Sequence, residues 1–143
     1  MYASHSLPPI TIATCDYDRL MFTAADVRRL GDRNADFLLS ELRRATLCDV
    51  EELPEDVVST NCRVTSRIDG GKQHAALLVH PDDMRRTGAE LSVTTPLGIA
   101  LLGLRCGDRM PYPVGGADPQ HEVVLEGVGW RFLDDRSSRN RSA

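Results

Sequence analysis

Residues 91–109 read LSVTTPLGIALLGLRCGDR. The stretch opens on a short alternation, Leu91-Ser92-Val93-Thr94, the period-2 pattern of a half-buried strand. Thr95-Pro96 stops it, because proline fixes its own φ and restricts the residue before it. Pro96 then suits the first position of a helix, where a missing N–H costs nothing. Leu97, Ala100, Leu101 and Leu104 recur at helical spacing. Gly103 and Gly107 supply a helix end and a turn. The stretch therefore predicts a strand, a tight corner, one buried two-turn helix, a Gly-Asp turn and the next strand.

Upstream, Ile10-Thr11-Ile12 is a short strand candidate. Asp16 and Asp18 suit the first turn of a helix whose Leu20, Ala24 and Val27 share a face. Thr23-Ala24-Ala25-Asp26 resembles a capping box, so the residues allow either one helix from Asp16 or a restart near Thr23. Gly31-Asp32-Arg33-Asn34 is a turn by composition. A second helix follows, with Ala35, Leu38, Leu42 and Ala45 as its stripe and Leu39 widening it. Asp36, Glu41, Arg43 and Arg44 are expected outside. Two facing stripes with a short connection predict an antiparallel hairpin over 16–48.

The acidic run 49–56, DVEELPED, reads as a linker after an N-terminal segment 1–15 and the hairpin. A second domain over 57–132 follows. Arg63 to Ile68 and Ala75 to His80 are strands joined by the turn Asp69-Gly70-Gly71-Lys72. Pro81-Asp82-Asp83 breaks the second. Arg109 to Val114 is weakened by Pro111 and Pro113, which places it at an edge. Gly115-Gly116 turns the chain into a last strand, Glu122 to Val128, with Trp130 and Phe132 packing near its end. The basic tail 133–143, with Arg136, Arg139 and Arg141, is expected to be disordered. The fold class is α+β, a helical hairpin followed by a mainly antiparallel sheet with one short helix.

Composition excludes several functions. Hydrophobic residues make up 41% of the chain and aromatic ones 5%, enough for a modest aliphatic core. No run approaches the ~18 apolar residues of a membrane span, and Met1 to Pro9 lacks a secretory signal. A cytoplasmic protein is expected. The formal charge is −4, with signs mixed along the chain, which argues against a basic nucleic-acid surface. Cys15, Cys48, Cys62 and Cys106 match no zinc spacing and are expected to be idle thiols. His5, His74, His80 and His121 give no metal pattern, and no cofactor is expected. There is no P-loop, G-x-S-x-G or H-E-x-x-H. The one acid pair of interest is Asp32 and Asp36 at the hairpin tip. Four apart, they either share a Mg²⁺ ion with another protein's acids or serve as a turn residue and a helix-dipole partner.

The wording of 91–109 adds a resemblance. Ser92-Val93, Pro96-Leu97-Gly98, Ala100-Leu101-Leu102-Gly103 and Gly107-Asp108 resemble the C-terminal domain of the Gre transcript-cleavage factors. Asp16 with Arg19-Leu20, Glu41 to Ala45, Glu51 to Pro54, Asp56-Val57-Val58, Asn61, Arg63-Val64, Leu78-Val79 and Pro81 extend the likeness. Together they resemble one branch, the regulator of nucleoside diphosphate kinase (Rnk) family. Cys62 departs from the serine expected after Asn61. The resemblance implies a short coiled-coil hairpin joined to an FKBP-like domain. It also implies docking at the rim of the RNA polymerase secondary channel, without the long coiled coil that carries acids to the active site. No enzymatic activity is expected, since the few scattered aromatics provide no prolyl-isomerase pocket. The rival readings are a direct protein regulator of a metabolic kinase and a minimal cleavage factor acting through Asp32 and Asp36. Pro96, Leu97 and Gly98 are the expected polymerase contacts. Gly98 is expected to let a partner approach closely, and Gly98→Arg to weaken binding with much less change in stability, provided Gly98 does not adopt φ > 0, and Leu97 either contacts the partner or joins the core.

Overall fold

The computed structural model describes residues 7–85, 88–113 and 120–131. The 114–118 turn, Phe132 and the 133–143 tail lie outside the described residues. In chain order the elements are β1 (Thr11–Ala13), α1 (Thr14–Arg29), α2 (Asn34–Arg44), β2 (Thr46–Cys48), β3 (Cys62–Ile68), β4 (Gln73–Val79), β5 (Glu90–Ser92), α3 (Pro96–Leu101), β6 (Arg109–Pro113) and β7 (Gln120–Arg131). Short 3-10 turns lie at Val50–Glu52 and Pro81–Asp83.

α1 is one helix with no break near Thr23. It contains neither proline nor glycine, and Asp16, Leu20 and Ala24 bury one face of it. The turn after it places Asp32 Oδ1 against the Asn34 N–H at 2.9 Å, which caps the start of α2. α2 buries Ala35, Leu38 and Leu42 as its stripe requires. Glu41, expected outside, is buried. Its carboxylate receives the Arg44 guanidinium through two bonds of 2.8 and 3.0 Å, and Arg44 reaches on to the Pro8 carbonyl at 2.6 Å. A planar guanidinium fork pairs both carboxylate oxygens, which makes burial of this charge tolerable.

Two pairings escape the local pattern. β1 and β2 form a parallel two-stranded ribbon, with Thr11 opposite Thr46 and Ala13 opposite Cys48. The main sheet has the order β5-β4-β3-β7-β6. It is mixed rather than antiparallel throughout, because β5 joins β4 in parallel. β3–β4, β3–β7 and β6–β7 are antiparallel. The β3–β4 turn has positive φ at both Asp69 and Gly70, with the Gly71 N–H bonded to the Ile68 carbonyl, the geometry of a type I′ turn. β6, carrying Pro111 and Pro113, is an edge strand.

One hydrophobic core joins helices and sheet. Leu20, Ala24, Leu38 and Leu42 of the hairpin belong to the same cluster as Val64, Leu78, Val93, Ile99, Leu101, Val123 and Leu125. The segment 49–56 is also tied down, since Leu53 packs with Ala13 and Val57 in a smaller cluster.

Candidate functional site

The corner between β5 and α3 is built by hydrogen bonds within a few residues. Thr95 donates its hydroxyl to the Ser92 carbonyl at 2.8 Å and accepts the Gly98 N–H at 3.1 Å, capping α3. The Thr95 N–H also bonds the Ser92 carbonyl, and the Ser92 and Thr94 hydroxyls lie 2.8 Å apart. Pro96 occupies the first turn as its chemistry predicts. At the far end, Gly103 adopts φ +80°, and a Cβ there would stand 2.7 Å from the Ile10 Cβ. Its N–H bonds the Val58 carbonyl and its own carbonyl receives the Thr11 N–H, so α3 is locked to both flanking segments.

The three expected contact residues separate. Gly98 is buried rather than open to a partner. A Cβ built on it would lie 2.0 Å from the Ser92 carbonyl oxygen. The expectation that a side chain at 98 spares stability is therefore corrected: the glycine serves close packing of the corner. Pro96 and Leu97 are half-buried, and Leu97 rests its inner side on the core. With the equally half-buried Ser92, Thr94 and Thr95, they form the part of the corner that reaches solvent. Ile99 to Leu102 and Leu104 are buried, as expected of a buried helix, and Ile99 and Leu102 extend the burial beyond the Leu97, Ala100, Leu101 and Leu104 stripe.

At the hairpin tip, Asp32 and Asp36 are exposed. One Asp32 oxygen is already engaged by the Asn34 N–H. A third acid, Asp26, pairs with Arg29. Asp36 stands in the first turn of α2, where the helix dipole favours a carboxylate.

A buried polar node was missed by the sequence reading. Asp16 Oδ1 accepts the Thr60 hydroxyl at 2.7 Å and lies 3.1 Å from His80 Nε2, while Asp16 Oδ2 lies 3.3 Å from the Thr60 N–H. All three residues are buried. His80 Nε2 faces the Asp16 carboxylate, which can only accept, so this nitrogen is the donor, while His80 Nδ1 has no hydrogen-bond partner among the described residues. Threonine, aspartate and histidine suggest a hydrolytic triad, but the order is wrong for one. Both Thr60 and His80 face the aspartate, so the imidazole does not receive the hydroxyl proton. The node fastens α1 to the sheet instead. A bridge of 3.1 Å from Arg19 to Asp83 supports the same contact at the surface. The one sequence signal was Asp16 itself, an acid at a position that the Leu20–Ala24 face turns inward.

Among the described residues, no group of three or more His, Cys, Asp and Glu is placed to hold a metal. Desolvation and the nearby Asp56 carboxylate push the Cys106 thiol up, which makes it a poorer nucleophile than an ordinary cysteine. No described helix is long and apolar enough to cross a membrane.

The corner lies inside a segment that matches a known family. Residues 53–125 match the family described as transcription elongation factor, GreA/GreB, C-term. The chain is 39% identical over 122 residues to a protein named Regulator of nucleoside diphosphate kinase from Escherichia coli (strain K12), covering 85% of this chain and 90% of that one. A protein of the same name from Shigella flexneri matches equally. Among solved structures, the prokaryotic transcription elongation factor GreA/GreB from Nitrosomonas europaea superposes with a TM-score of 0.67 at 32% identity, covering 85% of this chain and 99% of that one.

Proposed function

From the premise that this chain belongs to the GreA/GreB family of transcription factors, in the branch of the regulators of nucleoside diphosphate kinase, we propose that it docks on RNA polymerase near the secondary channel and does not cleave the transcript. The observation that carries this reading is the preformed corner at Thr95–Gly98 inside the family-matched segment. A loop already fixed by its own hydrogen bonds loses little entropy when a partner closes on it. Pro96 and Leu97 are the proposed contacts, with Gly98 holding them in place from inside.

The short hairpin supports the second half of the proposal. α1 has 16 residues, and its inner face is buried from Asp16 to Ala24. At 1.5 Å per residue, the last five residues extend only about 8 Å further. Of the tip acids, Asp26 and Asp32 are occupied within the chain. Such a tip is poorly suited to delivering a metal-binding carboxylate pair deep into another protein's active site.

The test is retention of the protein on immobilised core RNA polymerase, with a Gre factor as competitor. Binding that the competitor displaces, with no shortening of the transcript in a stalled elongation complex, is the expected result. No retention at micromolar concentration overturns docking, and transcript shortening overturns the non-catalytic assignment. The name of the Escherichia coli relative motivates a second reading, direct contact with a nucleoside diphosphate kinase. Co-purification with that kinase in the absence of polymerase would favour it.

A further inference from the structure

The outer face of α1 carries an apolar patch that the fold does not use. Phe22 is 74% exposed, the most exposed large hydrophobic residue among those described, and Met21 beside it is 37% exposed. Ala25, one turn on, is also exposed. With 100° per residue, Asp18, Phe22, Ala25 and Arg29 fall within about 60° of one another, on the side opposite the buried Leu20 and Ala24. The stripe thus runs acid, apolar, apolar, base. Asp18 takes part in no ion pair among the described residues, and neither does Arg28 beside the basic end.

This order is self-complementary under reversal. If two copies of α1 lie antiparallel about a two-fold axis between Thr23 and Ala24, position i of one faces position 47 − i of the other. Asp18 then meets Arg29 of the second copy, whose guanidinium pairs with Asp26 of its own helix through one nitrogen and keeps its other N–H groups for a second carboxylate, with Arg28 adjacent, and the large Phe22 meets the small Ala25. The Asp18–Arg29 pair and the Phe22–Ala25 contact each occur twice, as an isologous contact requires. The helix dipoles also oppose favourably. A parallel pairing would instead set Asp18 beside Asp18 and Arg29 beside Arg29. The charge order therefore selects a second copy of this chain, antiparallel, over a merely apolar partner.

We propose that the chain self-associates through the outer face of α1 in this antiparallel register. A helix of 16 residues is about 24 Å long, so the contact is smaller than the ~1,600 Å² of a standard stable interface. Association is accordingly weak and concentration-dependent. Analytical ultracentrifugation of the full chain from micromolar to millimolar concentration reads it directly. The weight-average mass rises towards that of a dimer, and Phe22→Glu holds it at the monomer throughout. Asp18→Arg and Arg29→Glu, each tested alone, weaken association roughly tenfold, because each change counts twice across the axis. An equimolar mixture of these two variants restores it, since each reversed charge then finds an opposite one. All the changed side chains are exposed, and circular dichroism verifies that each variant folds. A wild-type chain that stays monomeric to millimolar concentration overturns the proposal. So does a dimer that tolerates Phe22→Glu, and so does a mixture no more associated than its two components.

Discussion

A methyl group at position 98 meets the Ser92 carbonyl oxygen at 2.0 Å, and that oxygen belongs to backbone already held by Thr95. It cannot swing aside, so Gly98→Ala should cost about 1–3 kcal/mol of stability, the usual range for overpacking. Leu97 should behave in the opposite way. Leu97→Ala keeps the corner, because its backbone bonds come from Thr95 and Ser92, and it removes the proposed apolar contact. Polymerase binding should fall by about 2 kcal/mol, the scale of an interface hot spot, while the denaturation midpoint moves less than for Gly98→Ala. Equal binding by wild type and Leu97→Ala would place the contact elsewhere. Asp69 offers a pH-dependent test. The Glu122 N–H at 2.9 Å, and then His121, hold its carboxyl below the ordinary range. A carboxyl whose folded value is depressed adds stability above its unfolded value, near pH 3.8, and loses it as pH falls through the lower folded value. Asparagine tolerates the positive φ at this position and still accepts a hydrogen bond. Wild type should therefore melt above Asp69→Asn at pH 6, and the gap should close as pH drops below about 4. A gap that is constant from pH 6 to pH 2 would show that charge is not the cause.

Elements differ in how much of them was written locally. The α3 corner was legible because Pro96, the Leu91–Thr94 alternation and the apolar spacing all act within a few residues. The β3–β4 turn was legible for the same reason, Asp69-Gly70 being one of the few dipeptides that accept two positive φ angles. β2 was not, since Thr46-Leu47-Cys48 is strand only through its pairing with β1, 35 residues earlier. The parallel β4–β5 contact is likewise non-local. Glu41 was misplaced because a charge at a flank position reads as solvent-facing, and only the Arg44 fork, tied to Pro8, makes its burial tolerable. The hairpin tip yields the prediction at this scale. Asp32→Ala with Asp36→Ala removes the contact to the Asn34 N–H and a dipole partner, so stability should fall by about 1 kcal/mol. Polymerase retention should be nearly unchanged in the same protein. If retention is lost while Leu97→Ala binds normally, the hairpin anchors the complex and the corner does not.

At the scale of the molecule, the sequence suggests a hairpin, a linker and a sheet, whereas the contacts bind all three together. Leu20 and Leu38 share a core cluster with Leu78 and Leu125, so neither hairpin nor sheet can open without exposing the other's apolar surface. The Asp16 node adds a polar fastening between them, joining α1 to Thr60, just before β3, and to His80, just after β4. Removing the carboxylate leaves the Thr60 hydroxyl and His80 Nε2 buried without their acceptor. Asp16→Ala should therefore cost about 3 kcal/mol, more than the loss of an exposed hydrogen bond. The loss should also be global. In urea, the helix signal in circular dichroism and the hydrogen-exchange protection of β3 and β7 amides should disappear at one midpoint in wild type, and at one lower midpoint in Asp16→Ala. Separate midpoints, with helix lost before sheet, would mean that the hairpin is an independent attachment. A single midpoint would mean that hairpin and sheet unfold as one cooperative unit, so that the corner proposed to meet polymerase and the outer face of α1 are lost together.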